Sequence, residues 1–278
     1  MIRIASVSGL ATVQDAGRRG HMHEGVPVGG ALVPELLARA NAAAGNPPDA
    51  AAIELMGRLT IEALAGCVVA TDDGRREELA VGSRWAATCA RDRARYLAVR
   101  GGFDVPVVLG GRGTLLVAGI GGHEGRALRS GDVLRAGSAP LRPPGILPAG
   151  PDRSAPIAVF PGPDLHRFEA GVFDLLLGGS FLVDPASDRT GIRLSGPPLL
   201  PRAGADGGGD GNGNGNAGVS APMVRGAVQV PPSGQPVLLG PDHPTTGGYP
   251  VVALVARACF GAVGALVPGD TVRFVSGR

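Results

Sequence analysis

The chain has 278 residues, a formal net charge of +2, 47 glycines and 25 prolines. All 26 of its Lys-or-Arg positions are arginines; with no lysine, a Walker-A phosphate loop, Schiff-base catalysis and covalent biotin or lipoate on this chain are excluded. The arginines are scattered, which leaves neither a nucleic-acid-binding tail nor a polybasic membrane patch, and the wealth of Gly, Pro, Val and Leu favours a mainly β fold with a few short helices.

The N-terminal MIRIASVSGL has no long apolar core and no run of about 18 apolar residues follows anywhere, so a cytoplasmic location is expected. The first motif, Thr12 to Gly20 followed by HMHEGVPVGG, sets polar side chains among glycines and reads as a tight loop or as backbone folded around a ligand. His21 and His23 form an HxH pair without a third ligand nearby, so no metal site is expected. Pro34 opens a helix that Gly45 should stop, with Arg39 and Asn41 read as solvated surface. Ala50 to Leu55 and Leu59 to Ala63 read as two short strands. Glu54 lies inside the first, so it is either exposed on an edge or buried and paired. Cys67, Cys89 and Cys259 are far apart, odd in number and without CxxC spacing, which predicts reduced, mostly buried thiols.

Tyr96 to Val99 and Val105 to Leu109 read as strands around a Gly101-Gly102 turn, with Arg100 and Arg112 beside glycines where an anion could approach. GIGGHEG lacks the spacing and context of a dinucleotide fingerprint. Pro106 to Gly110 resembles Pro236 to Gly240, and Gly131 to Arg135 resembles Gly269 to Arg273. Two matches in the same order predict two related β units: residues 1–138 and 156–278, joined by a proline-rich linker over 139–155.

In the second unit, Ile157 to Phe160 reads as a strand, Asp164 to Leu177 as an amphipathic helix and Phe181 to Val183 as a strand. Ser187-Asp188-Arg189 is a turn that could serve a ligand or simply pair internally. The Gly/Asn-rich stretch 204–218 reads as a flexible loop. Ala227 to Val230 and Pro236 to Leu239 flank Pro231-Pro232-Ser233-Gly234, which is a hairpin signal. The hairpin leads into Asp242 to Tyr249, a loop with a carboxylate, an imidazole and two hydroxyls. Pro250 to Ala258 reads as a strand, with a short turn or helix over Cys259 to Leu266 and a last strand over Thr271 to Val275.

Taken together and in order, TVQDAGRRG with GVPVGGALVP, RYLAVRGGFDVPVVLGGRGT, GGHEGRAL, SDRTGIRL and GAVQVPPSGQPVLLGPDHPTTGGYP resemble the biotin-dependent carboxyltransferase-like family that includes KipA, allophanate hydrolase subunit 2 and the C subunit of 5-oxoprolinase. The resemblance runs nearly end to end. It implies a cyclophilin-like β-barrel architecture and ATP-dependent opening of 5-oxoproline, a lactam, to glutamate, in a complex with A and B (KipI-like) subunits. ATP with Mg2+ would be bound by this chain or by a partner. Alternatives within the family are carboxyl transfer from a carboxybiotin carried on another chain, and a non-catalytic KipA-like regulator.

The family-like polar residues are Gln14, Asp15, His23, Glu54, Arg100, Arg112, Ser187, Asp188, Arg189, Gln229, Asp242, His243, Thr245 and Thr246. On their chemistry, Asp242 and His243 would move protons, while Thr245 and Thr246 would hold an anionic oxygen. Arg112 or Arg189 would bind the substrate carboxylate, and Gln14, Asp15, Glu54 and Gln229 would complete a substrate site between the two units. The chain departs from the family pattern at Gly29, Gly111 and Gly113, where serine is usual, and at Val33, where aspartate is usual.

Overall fold

The computed structural model describes residues 1–89, 94–140, 142–143, 146–202 and 220–277, so the reading of 204–218 as a flexible loop falls outside the described residues. The chain divides into two compact units, residues 1–21 with 28–151, and residues 22–27 with 152–278. The fold is mainly β, built on nearly closed barrel-like sheets.

In the first unit, β1 (Ile2–Gln14) and β2 (Ala52–Ala63) pair antiparallel over their whole length, from Ile2 opposite Ala63 to Gln14 opposite Ala52. The sequence suggests two strands in place of β2, because Gly57 interrupts the apolar run. Gly57 is instead a bend within one strand, directly opposite Gly9 of β1. Both glycines have positive φ, and a Cβ on Gly57 would lie 2.1 Å from the Ser8 carbonyl, so the corner turns only because neither residue carries a side chain. The sheet is completed by β3 (Cys67–Thr71), β4 (Arg76–Leu79), β5 (Arg84–Thr88), β6 (Arg95–Val99) and β7 (Val133–Leu134), in the order β4-β3-β6-β2-β1-β7 with β5 on β2. The bend thus lets β2 pair with β6 before Gly57 and with β5 after it. Inward-facing Ile53, Leu55, Leu59, Ile61, Leu97 and Trp85 form the core.

Helix α1 (Pro34–Ala44) begins and ends where the sequence places it, and Gly45 adopts φ 78° with its N–H and that of Asn46 closing on Ala42 and Asn41 carbonyls, the usual left-handed stop. Asn41, expected at the surface, is fully buried. Its amide donates to the Ala50 carbonyl at 2.8 Å and its oxygen accepts from Asn46 at 3.0 Å, tying the helix to the loop that enters β2. Arg39 likewise donates to the Asp72 carbonyl at 2.8 Å.

Val105 to Leu109 is not a strand. Val108 bridges Gly111 across a tight turn in which Leu109 takes φ 52°, so the match between Pro106–Gly110 and Pro236–Gly240 is one of sequence alone. The other match is structural. Gly131 and Gly269 both have φ near 90° (94° and 89°). Asp132 accepts from the Arg129 N–H at 2.7 Å, and Asp270 accepts from the Val267 N–H at 2.9 Å. Each motif then exchanges two backbone hydrogen bonds with one residue of a neighbouring strand, Ile4 and Val183 respectively.

The second unit's sheet contains β8 (Ile157–Pro161), β9 (Phe181–Val183), β10 (Gly191–Ser195), β12 (Ala227–Gln229), β13 (Val237–Leu239), β15 (Val251–Val255), β16 (Thr271–Val272) and β17 (Phe274–Ser276), in the order β16-β9-β10-β13-β12-β15-β8-β17. The expected last strand thus splits at Arg273, and its two pieces lie at opposite ends of the sheet order. One residue joins them, which draws the two ends of the sheet together into a barrel. A small separate pair is formed by β11 (Ala221–Pro222) and β14 (Thr246–Gly247).

The helix expected over Asp164 to Leu177 is broken. A 3-10 turn at Leu165–Arg167 precedes α2 (Val172–Gly178), because Phe168 turns away to bridge Pro201 and Gly171 takes φ 85°. The last helix, α3 (Phe260–Ala265), follows β15. All three cysteines are free and half-buried, and no helix among the described residues is long and apolar enough to cross a membrane.

Candidate functional site

In the first unit, β1 delivers Gln14 and Asp15 to the turn that carries Arg112. The Asp15 carboxylate accepts from the backbone N–H groups of Gly17 at 2.8 Å, Arg112 at 2.5 Å and Gly113 at 3.1 Å. Both of its oxygens therefore serve to pin the 108–113 turn to the end of β1. Gln14 is fully buried, donating to Thr12 Oγ1 and the Thr114 carbonyl at 3.0 Å each, while its own Oε1 has no hydrogen-bond partner among the described residues.

A Cβ on Gly113 would sit 2.8 Å from that oxygen and 3.0 Å from the Asp15 carboxylate, and one on Gly111 would sit 3.0 Å from the Gly17 backbone. Two of the three glycines that stand where serine is usual, Gly111 and Gly113, are thus the residues this packing accepts. Gly29 takes φ 63°. Val33 caps α1 without a side-chain hydrogen bond, and its N–H goes to the Tyr96 hydroxyl at 3.0 Å.

Glu54 is 2% exposed, which resolves its two sequence readings in favour of burial with partners. Its Oε2 accepts from the Leu32 N–H at 2.8 Å and from the Tyr96 hydroxyl. A buried carboxylate with two donors braces the entrance to α1 against β2 and β6, with its Oε2 engaged inside the core.

Asp15 and Arg112 also line a cavity of about 590 Å3 with Asp49, Gly101, Gly102 and Asp104. Arg112 is 37% exposed on its side chain. It donates from Nη1 to the Val105 carbonyl and lies 3.9 Å from the Asp104 carboxylate, itself largely in solvent. Such an exposed pair is weak. Arg112 thus lines a volume ample for a small carboxylate, which a planar fork of donors suits.

In the second unit, Arg189 and Asp242 close on each other. Nε meets Oδ2 at 2.7 Å and Nη2 meets Oδ1 at 2.9 Å, with side chains only 6% and 10% exposed. Sequence reasoning offers Arg189 to a substrate and Asp242 to proton transfer; the folded chain gives the two groups to each other. Asp188 caps its own turn through the N–H groups of Thr190 and Gly191, and the Ser187 hydroxyl accepts from the Arg193 N–H at 3.0 Å.

His243, next in the chain, is 1% exposed and its Nδ1 lies 2.8 Å from the Pro244 carbonyl. Only a protonated Nδ1 can satisfy that oxygen, which leaves Nε2 as the nitrogen with the lone pair. Burial lowers the imidazole's pKa, assisted by the Arg225 charge and opposed by the Pro244 hydrogen bond and by Asp242. Gln229 supports the loop from below, donating to Met223 Sδ at 3.2 Å and the Tyr249 carbonyl at 3.3 Å. Thr245 is half-buried and its carbonyl accepts from Met223, while Thr246 is exposed in β14.

A pH dependence follows from His243. Its folded pKa lies below the unfolded value of about 6.5, so on acidification the unfolded chain takes up the proton first. Stability should therefore be full above about pH 6.5 and fall below it. His243→Gln should flatten that part of the pH profile of the urea midpoint, and an unchanged slope between wild type and variant would contradict it.

Arg18 is the residue that sequence reasoning misses: in the pair Arg18-Arg19 nothing distinguishes the fully buried member from the exposed one. Asp49 and Asp104 are likewise visible as cavity groups only once the fold gathers the loops around Gly101.

Compared with known proteins, residues 76–276 match the family model described as carboxyltransferase domain, subdomain A and B. The C subunit of 5-oxoprolinase from Escherichia coli (strain K12) is 34% identical over 99% of this chain and 91% of its own length. Urea amidolyase of Lachancea kluyveri is 31% identical over 98% of this chain but 17% of its own length. Among solved structures, TTHA0988 superposes with a TM-score of 0.82 at 29% identity, covering 99% of this chain and 55% of that one. The Kluyveromyces lactis urea carboxylase superposes with a TM-score of 0.85 at 27% identity, covering 99% of this chain and 27% of that one. This chain therefore matches nearly the full length of the bacterial 5-oxoprolinase component but only part of these larger proteins, and it belongs to the carboxyltransferase domain family, subdomains A and B.

Proposed function

We propose that this chain is the C subunit of an ATP-dependent 5-oxoprolinase, opening 5-oxoproline to glutamate in a complex with A and B subunits in the cytoplasm. The observation that carries this reading is the cavity of the first unit, which the Arg112 guanidinium lines beside glycine backbone. The length match with the Escherichia coli 5-oxoprolinase component supports 5-oxoproline as the small carboxylate bound there.

A lactam resists water because its nitrogen is a poor leaving group and its carbonyl is resonance-stabilised. ATP would supply the activation: transfer of its γ-phosphoryl group to the lactam oxygen releases ADP, one water adds to the activated carbon, and the ring C–N bond breaks as the nitrogen takes a proton, leaving an acyl phosphate that a second water hydrolyses to glutamate and phosphate. With no lysine in the sequence there is no Walker lysine here, and ATP with its Mg2+ is bound in the complex by this chain or by a partner. In this reading Arg112 binds the substrate carboxylate. In the second unit the Arg189–Asp242 pair fixes the loop that carries the buried His243. Thr245 and Thr246 border the same loop.

Co-expression with neighbouring A-like and B-like subunits should yield a complex that releases glutamate and ADP only when 5-oxoproline is present. A stable complex without that turnover would sink the catalytic reading. The relatedness to urea amidolyases supports a second reading, carboxyl transfer from carboxybiotin to an amide. Since the chain has no lysine, biotin would then arrive on another chain, and activity dependent on an added biotin carrier would identify it.

A further inference from the structure

Arg18 is 1% exposed, among the most deeply buried large side chains of the described residues. Its backbone N–H is fixed to the Val28 carbonyl at 2.8 Å. Its guanidinium donates from Nε to the Val108 carbonyl at 3.4 Å and from Nη2 to the Gly113 carbonyl. These two carbonyls lie on either side of the segment Leu109 to Arg112.

That segment is strained. Leu109 holds φ 52° without being glycine, a conformation that L residues with a Cβ avoid and that persists only where surroundings enforce it. Nor is the strain explained by burial of its side chain, which is 38% exposed. The neighbouring loop is shaped to the clamp as well: a Cβ on Gly121 would lie 2.6 Å from Arg18 Nη2, and the Gly122 N–H donates to the Arg112 carbonyl at 2.7 Å. Taking a guanidinium out of water is costly, so a fork used on backbone carbonyls at both ends of one short turn points to a purpose served by that turn's shape.

We propose that Arg18 is a positioning residue: its buried guanidinium clamps the strained Leu109–Arg112 turn and so aims the Arg112 side chain into the cavity. This rests on the reading of Arg112 as the carboxylate-binding group. Asp15 holds the same turn from the other side through the Arg112 and Gly113 N–H groups; Arg18 fixes the carbonyls and Asp15 the amides. Lysine cannot replace the clamp, because an ammonium is a single point of donation where two separated carbonyls must be reached.

The test uses the full chain with 5-oxoproline as the probe, measuring its Kd by calorimetry and amide exchange residue by residue. Arg18→Lys should weaken binding by at least about tenfold, as a displaced binding group does, and speed exchange at Arg112 and Gly113 while Ile53 and Leu55 in β2 stay protected. Adding Leu109→Gly to Arg18→Lys should recover part of both losses, since glycine adopts φ 52° without strain. Exchange that rises equally throughout the unit, or no change at the turn, or no recovery in the double variant, would overturn the proposal.

If the wild-type chain binds no 5-oxoproline, the substrate reading fails while the exchange comparison still decides the role of Arg18. Should Arg18→Lys not fold, a scalar coupling from the Arg18 guanidinium nitrogen to the Gly113 carbonyl carbon in the unaltered chain decides the same question. Its presence supports the clamp and its absence removes it.

Discussion

Asp242→Ala is expected to lower the stability of the second unit by about 3–5 kcal/mol, the usual loss when one partner of a buried ion pair is removed. The magnitude follows from geometry. Both Arg189 nitrogens in the fork are matched to both Asp242 oxygens, and neither side chain has more than a tenth of its surface in water. Alanine would leave a guanidinium buried without the carboxylate it faces, and that desolvation, rather than the pair's own modest net worth, sets the cost. Two further variants separate the terms. Asp242→Asn keeps one acceptor and should lose less, while the apolar double replacement Arg189→Met/Asp242→Leu should recover much of the loss. The measurement is urea unfolding combined with amide exchange in β12 and β13, because the chain's single tryptophan, Trp85, reports on the first unit. A loss below about 1 kcal/mol would mean the pair behaves as a surface ion pair.

That expectation changes the reading of the Asp242–Tyr249 loop, and shows which kinds of information the residues carry. Local rules work well where one residue decides the backbone. Pro34 and Gly45 bracket α1 as expected, and the Pro231–Gly234 turn joins β12 and β13 with Val228 opposite Leu238. They fail where a distant partner decides. Gly57 reads as a break between strands until Gly9 is seen opposite it. Asn41 reads as surface until Ala50 and Asn46 are brought around it. Val105 to Leu109 has strand composition but lies in a turn held from outside. The polar residues follow the same division: their identity as a cluster is legible from the motifs, but whether a carboxylate faces a ligand or a neighbour depends on pairings across 53 residues for Arg189 and Asp242 and 42 for Glu54 and Tyr96. No spacing rule encodes contacts at that separation.

Arg112, unlike Glu54, Arg189 and Asp242, lines a cavity with its charged group partly in solvent, and the second large effect is expected there. Its backbone N–H is bound by Asp15 whatever the side chain, so Arg112→Ala should leave the turn in place and remove only the guanidinium. Charged hydrogen bonds of the kind a substrate carboxylate would make contribute about 1.5–3 kcal/mol, which predicts a fall in kcat/KM for 5-oxoproline of roughly 10- to 150-fold in the assembled complex. Because a carboxylate remote from the lactam carbon is held equally in ground and transition states, the loss should fall mainly on KM, with kcat little changed. Arg112→Lys should recover only part, since an ammonium cannot present a two-point fork. Asp104→Asn supplies the contrast: its carboxylate is 3.9 Å from Arg112 and 62% exposed, and removing its charge should shift KM by less than about twofold. If Arg112→Ala leaves KM unchanged in a complex that turns over 5-oxoproline, the substrate carboxylate is bound elsewhere, and the cavity of the first unit loses its assignment.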